Sequence, residues 1–340
     1  MILTSFQKED EKGFNAENSV KKVETLAEDM KRVHKTISSV ILGQEEVVEE
    51  TIITLLSGGH LLLVGVPGLG KTRLVETLGK VLGLQEKRIQ FTPDLMPGDI
   101  LGSEVLEESE RGKRSFRFIR GPIFSQLLMA DEINRASPRT QSALLQSMQE
   151  HRISIAGQYY NLPAPFHVLA TQNPLEQEGT YPLPEAQLDR FFMEVDISYP
   201  EAWAEKKMLV DTTGSSTTTI KPIIEADGLM EAQRAVRSMP VGEKVTDAIL
   251  KVVRAGRPQT SQLQEVQDNV YWGPGPRASQ ALMLGARARA LVQGRLAPNI
   301  EDVIKLVHPV LRHRMALSFS ARAEGISMSR LIDRLIDVIS

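Results

Sequence analysis

The chain has 340 residues, 41% apolar and 24% charged, with a net charge of −3 and no cysteine. That length predicts two domains, and usage this ordinary excludes a wholly disordered, collagenous or coiled-coil chain. Nearly balanced charge gives no global pull toward nucleic acid or membrane, and the missing cysteine removes disulfides, thiolate catalysis and cysteine-ligated metal sites at once.

No apolar run approaches the roughly 18 residues that a membrane helix needs. The segment Met1–Asn15 turns charged at Lys8–Lys12 and lacks the apolar stretch of a signal peptide, so a cytoplasmic protein without membrane insertion is expected. Residues 1–17 read as a polar tail. From Asn18, the residues Val20, Val23, Leu26, Met30, Val33 and Ile37 recur every three or four positions, one face of a helix. Gly43 breaks the pattern; a second helix carries Val47, Val48, Ile52, Leu55 and Leu56 before Gly58-Gly59 ends it. The run His60–Val64 is short, apolar and bounded by glycine, as in a strand buried on both faces of a parallel sheet. Similar runs recur at Arg88–Phe91, Leu127–Ala130, His167–Thr171 and Met193–Asp196, with helical stretches at Thr72–Leu82, Arg139–Glu150 and Pro184–Asp189. The alternation predicts a doubly wound α/β core over 18–205. Two segments, about 94–124 and 151–166, are too long for simple crossovers and read as inserted β-hairpins. Residues 206–226 hold the small-polar run Thr212–Thr219 and read as a linker. Residues 227–340 read as an all-helical second domain, with helices at Leu229–Met239, Val245–Ala255, Ala278–Val292, Ile300–Leu311 and Met328–Ile339. The histidines do not pair at helical spacing, so they read as structural and no histidine metal site is expected.

The chemistry concentrates in the first domain. Gly65-Val66-Pro67-Gly68-Leu69-Gly70-Lys71-Thr72 matches G-x-x-x-x-G-K-[ST] between a strand and a helix. The glycines let the backbone wrap a phosphate with its amides pointing inward, and the helix start adds a positive end. Lys71 is placed to meet the β- and γ-phosphates and the Thr72 hydroxyl to hold Mg²⁺. Gly65, Pro67, Gly68, Leu69, Gly70, Lys71, Thr72 and the adjoining Arg73 are therefore the expected nucleotide contacts. Leu127–Glu132 is an apolar strand ending in two carboxylates, and ligands of such sheets sit at the carboxyl ends of strands. Asp131 then holds Mg²⁺ through water and Glu132 activates the attacking water, which favours hydrolysis over transfer to a second substrate. Asn173 follows the next strand, where it either starts a turn with Pro174 or places an amide near the γ-phosphate. Arg190 stands between apolar residues; it is a surface side chain or a stabiliser of phosphoryl charge. Arg277 opens a helix, where a cation opposes the helix dipole at a small cost; it is either an ordinary side chain of the first turn or a residue kept there for a role.

These residues together resemble the AAA+ ATPases, and within them the MoxR family, from about Val33 to the carboxyl end. The most specific segments are Gly65–Thr72, Asp94–Asp99, Gly121–Phe124, Ala130–Ala136, Ala170–Pro174 and Leu183–Phe191. The resemblance implies an αβα P-loop core with a parallel sheet and a helical lid, binding ATP and Mg²⁺ at their junction and at a subunit boundary. It makes Asp131 and Glu132 the Walker B pair, Asn173 sensor 1, Arg190 an arginine finger for the neighbouring subunit, with Arg135 and Arg139 the next candidates, and Arg277 a sensor 2 acting within its own subunit. Ile41-Leu42-Gly43-Gln44 resembles the adenine-pocket segment, so Gln44 is an expected contact. The hairpins resemble insertions that face the pore of a ring, with six subunits the family expectation; Gly98 departs from the small polar residue expected there. Relatives of this kind look like chaperones that activate partner complexes, often with von Willebrand factor A proteins.

Two rival readings come from other classes. A DNA-acting motor is suggested by Arg111, Lys113, Arg114, Arg117 and Arg120, but Glu104, Glu107, Glu108 and Glu110 offset them, and nucleic acid is not the expected partner. A nucleotide-gated scaffold with little turnover is opposed by the intact Glu132, Asn173 and Arg190.

Overall fold

The computed structural model describes residues 16–108, 114–176, 178–213 and 220–340. The first part of the chain runs α1 (Ala16–Ser38), α2 (Glu45–Leu56), β1 (Leu61–Val64), α3 (Lys71–Val81), β2 (Glu86–Gln90), α4 (Pro97–Leu101), β3 (Gly102–Glu108), β4 (Arg114–Arg120), β5 (Leu127–Asp131), α5 (Pro138–Glu150), β6 (Arg152–Ile155), β7 (Gln158–Asn161), β8 (His167–Gln172), α6 (Glu185–Leu188), β9 (Met193–Asp196) and α7 (Ala202–Thr213). Five of these strands form a parallel sheet in the order β2-β5-β8-β1-β9. Leu61, Leu62 and Leu63 of β1, like Leu127 to Ala130 of β5, are buried on both faces, which explains their unbroken apolar sequence.

The lid runs α8 (Ala226–Ser238), α9 (Glu243–Ala255), α10 (Gln264–Asn269), β10 (Val270–Trp272), α11 (Pro276–Val292), α12 (Ile300–Leu311), β11 (Ala316–Leu317), α13 (Phe319–Ala323) and α14 (Met328–Asp337). One apolar cluster passes without a break from α1, α2 and one face of the sheet into the lid, joining Ile52, Leu56 and Val195 to Leu229, Leu282 and Leu306. A second cluster fills the other face, beneath α5, around Phe91, Leu144, Phe166 and Phe191. The lid is thus docked on the core through buried side chains.

Both insertions form antiparallel hairpins, β3–β4 paired from Gly102↔Arg120 to Glu108↔Arg114 and β6–β7 from Arg152↔Asn161 to Ile155↔Gln158. Arg111 and Lys113, at the tip of the first, lie outside the described residues, as do most of the polar tail and most of the small-polar run. One expectation needs correction. The linker expected at 206–226 is helical at its start, because α7 continues to Thr213; Ala202, Glu205, Lys206, Lys207, Met208 and Leu209 are strong helix formers, and the polar run begins only after them. The lid is helical as expected, with one addition: β10 and β11 form an antiparallel ribbon, Val270↔Leu317 and Trp272↔Ala316, from strands too short to leave a period in the sequence.

Candidate nucleotide-binding site

Strand β1 delivers the chain into the loop Gly65–Gly70, and α3 begins at Lys71. Gly68 and Gly70 take φ of +87° and +79°, a region that side chains enter only at a cost. A Cβ on Gly65 would stand 2.8 Å from the Ile197 carbonyl oxygen. The loop therefore needs glycine at three points of its own geometry, before any ligand is considered. The Lys71 ammonium donates to the carbonyls of Gly65 and of Val66, the latter at 3.3 Å. Burial pushes its pKa down, while the nearby charges of Asp131, Glu132 and Glu176 pull it back up.

Asp131 and Glu132 arrive from β5, which β8 separates from β1, and Glu176 from just beyond β8. Asp131 ends β5; its Oδ1 accepts from the Thr171 hydroxyl at 2.6 Å and its Oδ2 from Arg88 at 2.5 Å. Glu132 follows with φ of 56°, a strained conformation for a residue with a side chain, of the kind concentrated at functional sites. Its amide donates to Thr171 Oγ1 at 2.8 Å, and its carboxylate accepts from Gln90 at 2.7 Å and from Arg135 at 3.1 Å. Asn173, 4% exposed, lies just beyond β8, between those two strands; its Oδ1 accepts from the Leu175 amide at 3.1 Å. The oxygen thus makes the turn, and the amide nitrogen is a separate donor, so the two sequence readings do not compete. Gln90, Arg88 and Thr171 were not singled out by sequence, since a polar residue on a strand edge carries no motif.

Beside the loop lies a cavity of about 520 Å³ lined by Ile41, Gln44, Pro67, Gly68, Leu69, Gly70, Arg73, Tyr199, Met208 and Leu209. Gln44 Nε2 donates to the Leu69 carbonyl at 3.3 Å, tying the start of α2 to the loop. Tyr199, Met208 and Leu209 went unnoticed in the sequence; Met208 and Leu209 are apolar residues on the otherwise largely polar α7, and that was the available signal.

The arginines fall elsewhere. β1 and β9 are parallel with Leu61 opposite Met193. Gly65 therefore follows the carboxyl end of the sheet, whereas Arg190 precedes its amino end. A strand of four residues puts about 13 Å between those ends. A second cavity, about 390 Å³, opens at the amino end and is lined by Gly59, His60, His151, Arg190, Arg277 and Arg314 among others. Arg277 Nη1 meets Asp189 Oδ2 there at 3.4 Å. Arg277 thus sits with Arg190 at the far end of the sheet from its own loop, not beside the loop that the within-subunit expectation pairs it with. The buried Arg190 Nε has no hydrogen-bond partner among the described residues. Arg135 is engaged with its own Glu132, and Arg139 is exposed on the first turn of α5.

Comparison with known proteins agrees with this architecture. A family profile described as "ATPase family associated with various cellular activities (AAA)" matches residues 60–193, and an AAA lid domain matches 263–335. The chain is 41% identical to chaperone MoxR1 of Mycobacterium tuberculosis over 89% of its own length and 80% of that protein. It belongs to the MoxR family of AAA+ ATPases. Protein MoxR of Paracoccus denitrificans is 31% identical over 88% of this chain and 91% of its own. A crystal structure of a candidate ATPase from Cytophaga hutchinsonii superposes with a TM-score of 0.89 at 35% identity, covering 96% of this chain and 99% of that one.

Membership implies nucleotide binding with a divalent metal, and the residues fit both. The glycine loop leaves open space over Gly68 and Gly70, where a Cβ would meet nothing within 4 Å. Among the described residues no group of three His, Cys, Asp or Glu could hold a metal by itself. Mg²⁺ is held by one or two protein oxygens, waters and substrate phosphates, and Thr72 and Asp131 carry oxygens of that kind. Among the described residues no helix is long and apolar enough to cross a membrane.

Proposed function

We propose that this protein hydrolyses ATP to ADP and phosphate with Mg²⁺, in a hexameric ring in the cytoplasm, and couples the cycle to remodelling of partner protein complexes, von Willebrand factor A proteins among them. The observation that carries the reading is the split of the machinery between the two ends of the sheet. The phosphate loop and both carboxylates lie at one end; at the other, Arg190 has a buried nitrogen without a partner among the described residues. One chain cannot bring the two together, and a ring of identical chains can.

Bound Mg²⁺ supplies charge neutralisation of the phosphates. Lys71 leaves the Gly65 and Val66 carbonyls to meet the β- and γ-phosphates, and the loop amides cradle them. Gln44, Leu69, Arg73, Tyr199 and Leu209 hold the nucleoside in the adjoining cavity. Glu132, released from Gln90 and Arg135, takes the proton of the attacking water, and the Asn173 amide holds that water or the γ-phosphate. Arg190 and Arg277 of the adjacent subunit meet the charge that spreads over the transferring phosphoryl group. The paired charges of the first hairpin, Arg114 with Glu108 and Arg117 with Glu107, leave little positive field for a nucleic acid, which supports a protein client over DNA.

Lys71→Ala and Arg190→Ala should each be inactive, the first unable to bind nucleotide and the second binding it normally. An arginine supplied in trans is worth roughly 10³ to 10⁵ in rate. Mixing the two variants should restore part of the phosphate release, because Lys71→Ala subunits lend Arg190 to sites that hold ATP. A mixture that stays inactive while light scattering shows mixed rings would overturn the trans assignment.

A further inference from the structure

We infer that Asp189 is a positioning residue which locks the lid to the loop carrying Arg190, so that one subunit presents Arg190 and Arg277 to its neighbour as a single rigid unit; this rests on the trans reading of those arginines. The observation is Arg314. It comes from the lid, just after α12, yet its side chain is 3% exposed and lies in the core. Its Nε donates to Asp189 Oδ1 at 2.8 Å, one terminal nitrogen to the carbonyls of Val310 at 2.7 Å and Phe192 at 3.1 Å, and the other to those of Phe191 at 2.6 Å and Asp189 at 3.4 Å. The five N–H groups of a guanidinium are thereby all engaged, four of them by the loop 189–192 that holds Arg190.

Asp189 completes the lock. One carboxylate oxygen takes Arg314 and the other faces Arg277 at 3.4 Å, so a single charge serves two lid arginines. His313 reaches the Phe191 carbonyl at 3.2 Å, and Tyr271 of β10 donates to Glu185 of α6 at 2.6 Å. From Glu185 to Phe192 the core segment is held by side chains of its own lid. Any rotation of the lid therefore carries Arg190 with it, and Arg190 itself spends no donor on the lock.

Asp189 suits a test better than Arg314, whose removal would leave several buried carbonyls unpaired. Its side chain is 21% exposed, and Asp189→Asn keeps its size while removing the shared charge. A displacement of about 1 Å in such a group can cost on the order of 10²-fold in rate. Asp189→Asn should therefore bind ATP with unchanged affinity, assemble normally and lose turnover on that scale, and Asp189→Glu should recover part of it. Mixed rings locate the defect. Lys71→Ala subunits, which have an intact arginine face, should rescue Asp189→Asn; Arg190→Ala subunits, whose face is damaged in the same way, should not. Rescue by Arg190→Ala in place of Lys71→Ala would show that Asp189 serves its own site, and full activity of Asp189→Asn alone, or no rescue by either partner, would also overturn the inference. The Lys71→Ala with Arg190→Ala mixture separates the two levels. If that control recovers activity and the Asp189→Asn mixtures do not, the lock fails and the trans reading stands. If the control fails, both fall.

Discussion

Glu132, the proposed water-activating residue, shows how much of a side chain's behaviour lies in neighbours that carry no motif. Its identity and its place after an apolar strand were legible from the sequence, because the strand's apolar run and the paired carboxylates are local. Its restraint by Gln90 and Arg135 was not, since Gln90 lies 42 positions away and meets Glu132 only through the pairing of β2 with β5. A hydrogen bond to a charged group contributes about 1.5–3 kcal/mol, and this one draws Glu132 Oε2 toward β2. Gln90→Ala should therefore raise basal turnover by about tenfold with ATP affinity unchanged, as read by single-turnover phosphate release. A fall in rate would mean that Gln90 holds Glu132 in its working position. Glu132→Gln, by contrast, should keep ATP binding and lose turnover, because an amide cannot accept the proton; calorimetry showing no binding would remove the role assigned to it.

At the scale of elements, the two hairpins divide into an anchored base and a free outer part. Phe118 stacks on Tyr160 with ring centroids 4.4 Å apart and meets Phe124 edge-on at 5.8 Å, so the base of β3–β4 is bound to β7. Farther out, Leu106 and Phe116 are paired across the strands and are 50% and 71% exposed. An exposed apolar pair adds little to folding, and surface changes usually stay within about 0.5 kcal/mol. Leu106→Ser with Phe116→Ser should leave Tm and nucleotide affinity unchanged and weaken client remodelling. A fall of more than about 3 °C in Tm, or a loss of ATP affinity, would place the pair in the core or the site. The hairpins were visible as segments too long for simple crossovers, whereas the stack joining them was not, because Phe118 and Tyr160 belong to different insertions.

Across the whole molecule, buried titratable groups set opposing pH limits. His60 and His167 sit at the amino end of the sheet and bind it together: His60 Nε2 meets the Met148 carbonyl of α5 at 3.1 Å and its Nδ1 accepts from the Val168 amide at 3.0 Å, while His167 meets the Gly59 carbonyl at 2.8 Å and Gln233 of the lid at 3.1 Å. Burial pushes His60 down to about 3 and His167 to about 4. Both stay neutral when folded and take up protons on unfolding, so the stability they contribute is present above about pH 6.5 and is lost as pH falls toward 4. Glu50 and Glu194 behave in the opposite sense. Burial raises them to about 8 and about 7, so the stability linked to their protonated forms is complete below about pH 4.5 and is lost as pH rises to 8. Between pH 6.5 and 4.5 the two pairs oppose each other, each group at about 1.4 kcal/mol per pH unit, so removing one glutamate unmasks the histidines: Glu50→Gln should raise Tm at pH 8, leave it unchanged at pH 4 and make the fall in Tm from pH 6.5 to 4.5 steeper than in wild type. A fall no steeper than in wild type, or a lower Tm for Glu50→Gln at pH 8, would contradict these assignments.

Local chemistry determined the parts that sequence alone could settle. Glycines with positive φ, apolar runs of strand length, and carboxylates or an amide at strand ends are each written within a few neighbouring positions, so the phosphate loop, the carboxylate pair and the α/β core with its lid could be read directly. The direction in which each arginine faces could not, because it depends on which end of a parallel strand a residue adjoins. Arg277 was assigned to its own subunit by resemblance, and only the pairing of β1 with β9 and the contact with Asp189 put it at the far end of the sheet. Arg314 left no local signal: four of its five contacts are to a loop more than a hundred residues earlier, and burial of the lid against the core is what brings a charged side chain and those carbonyls into one place.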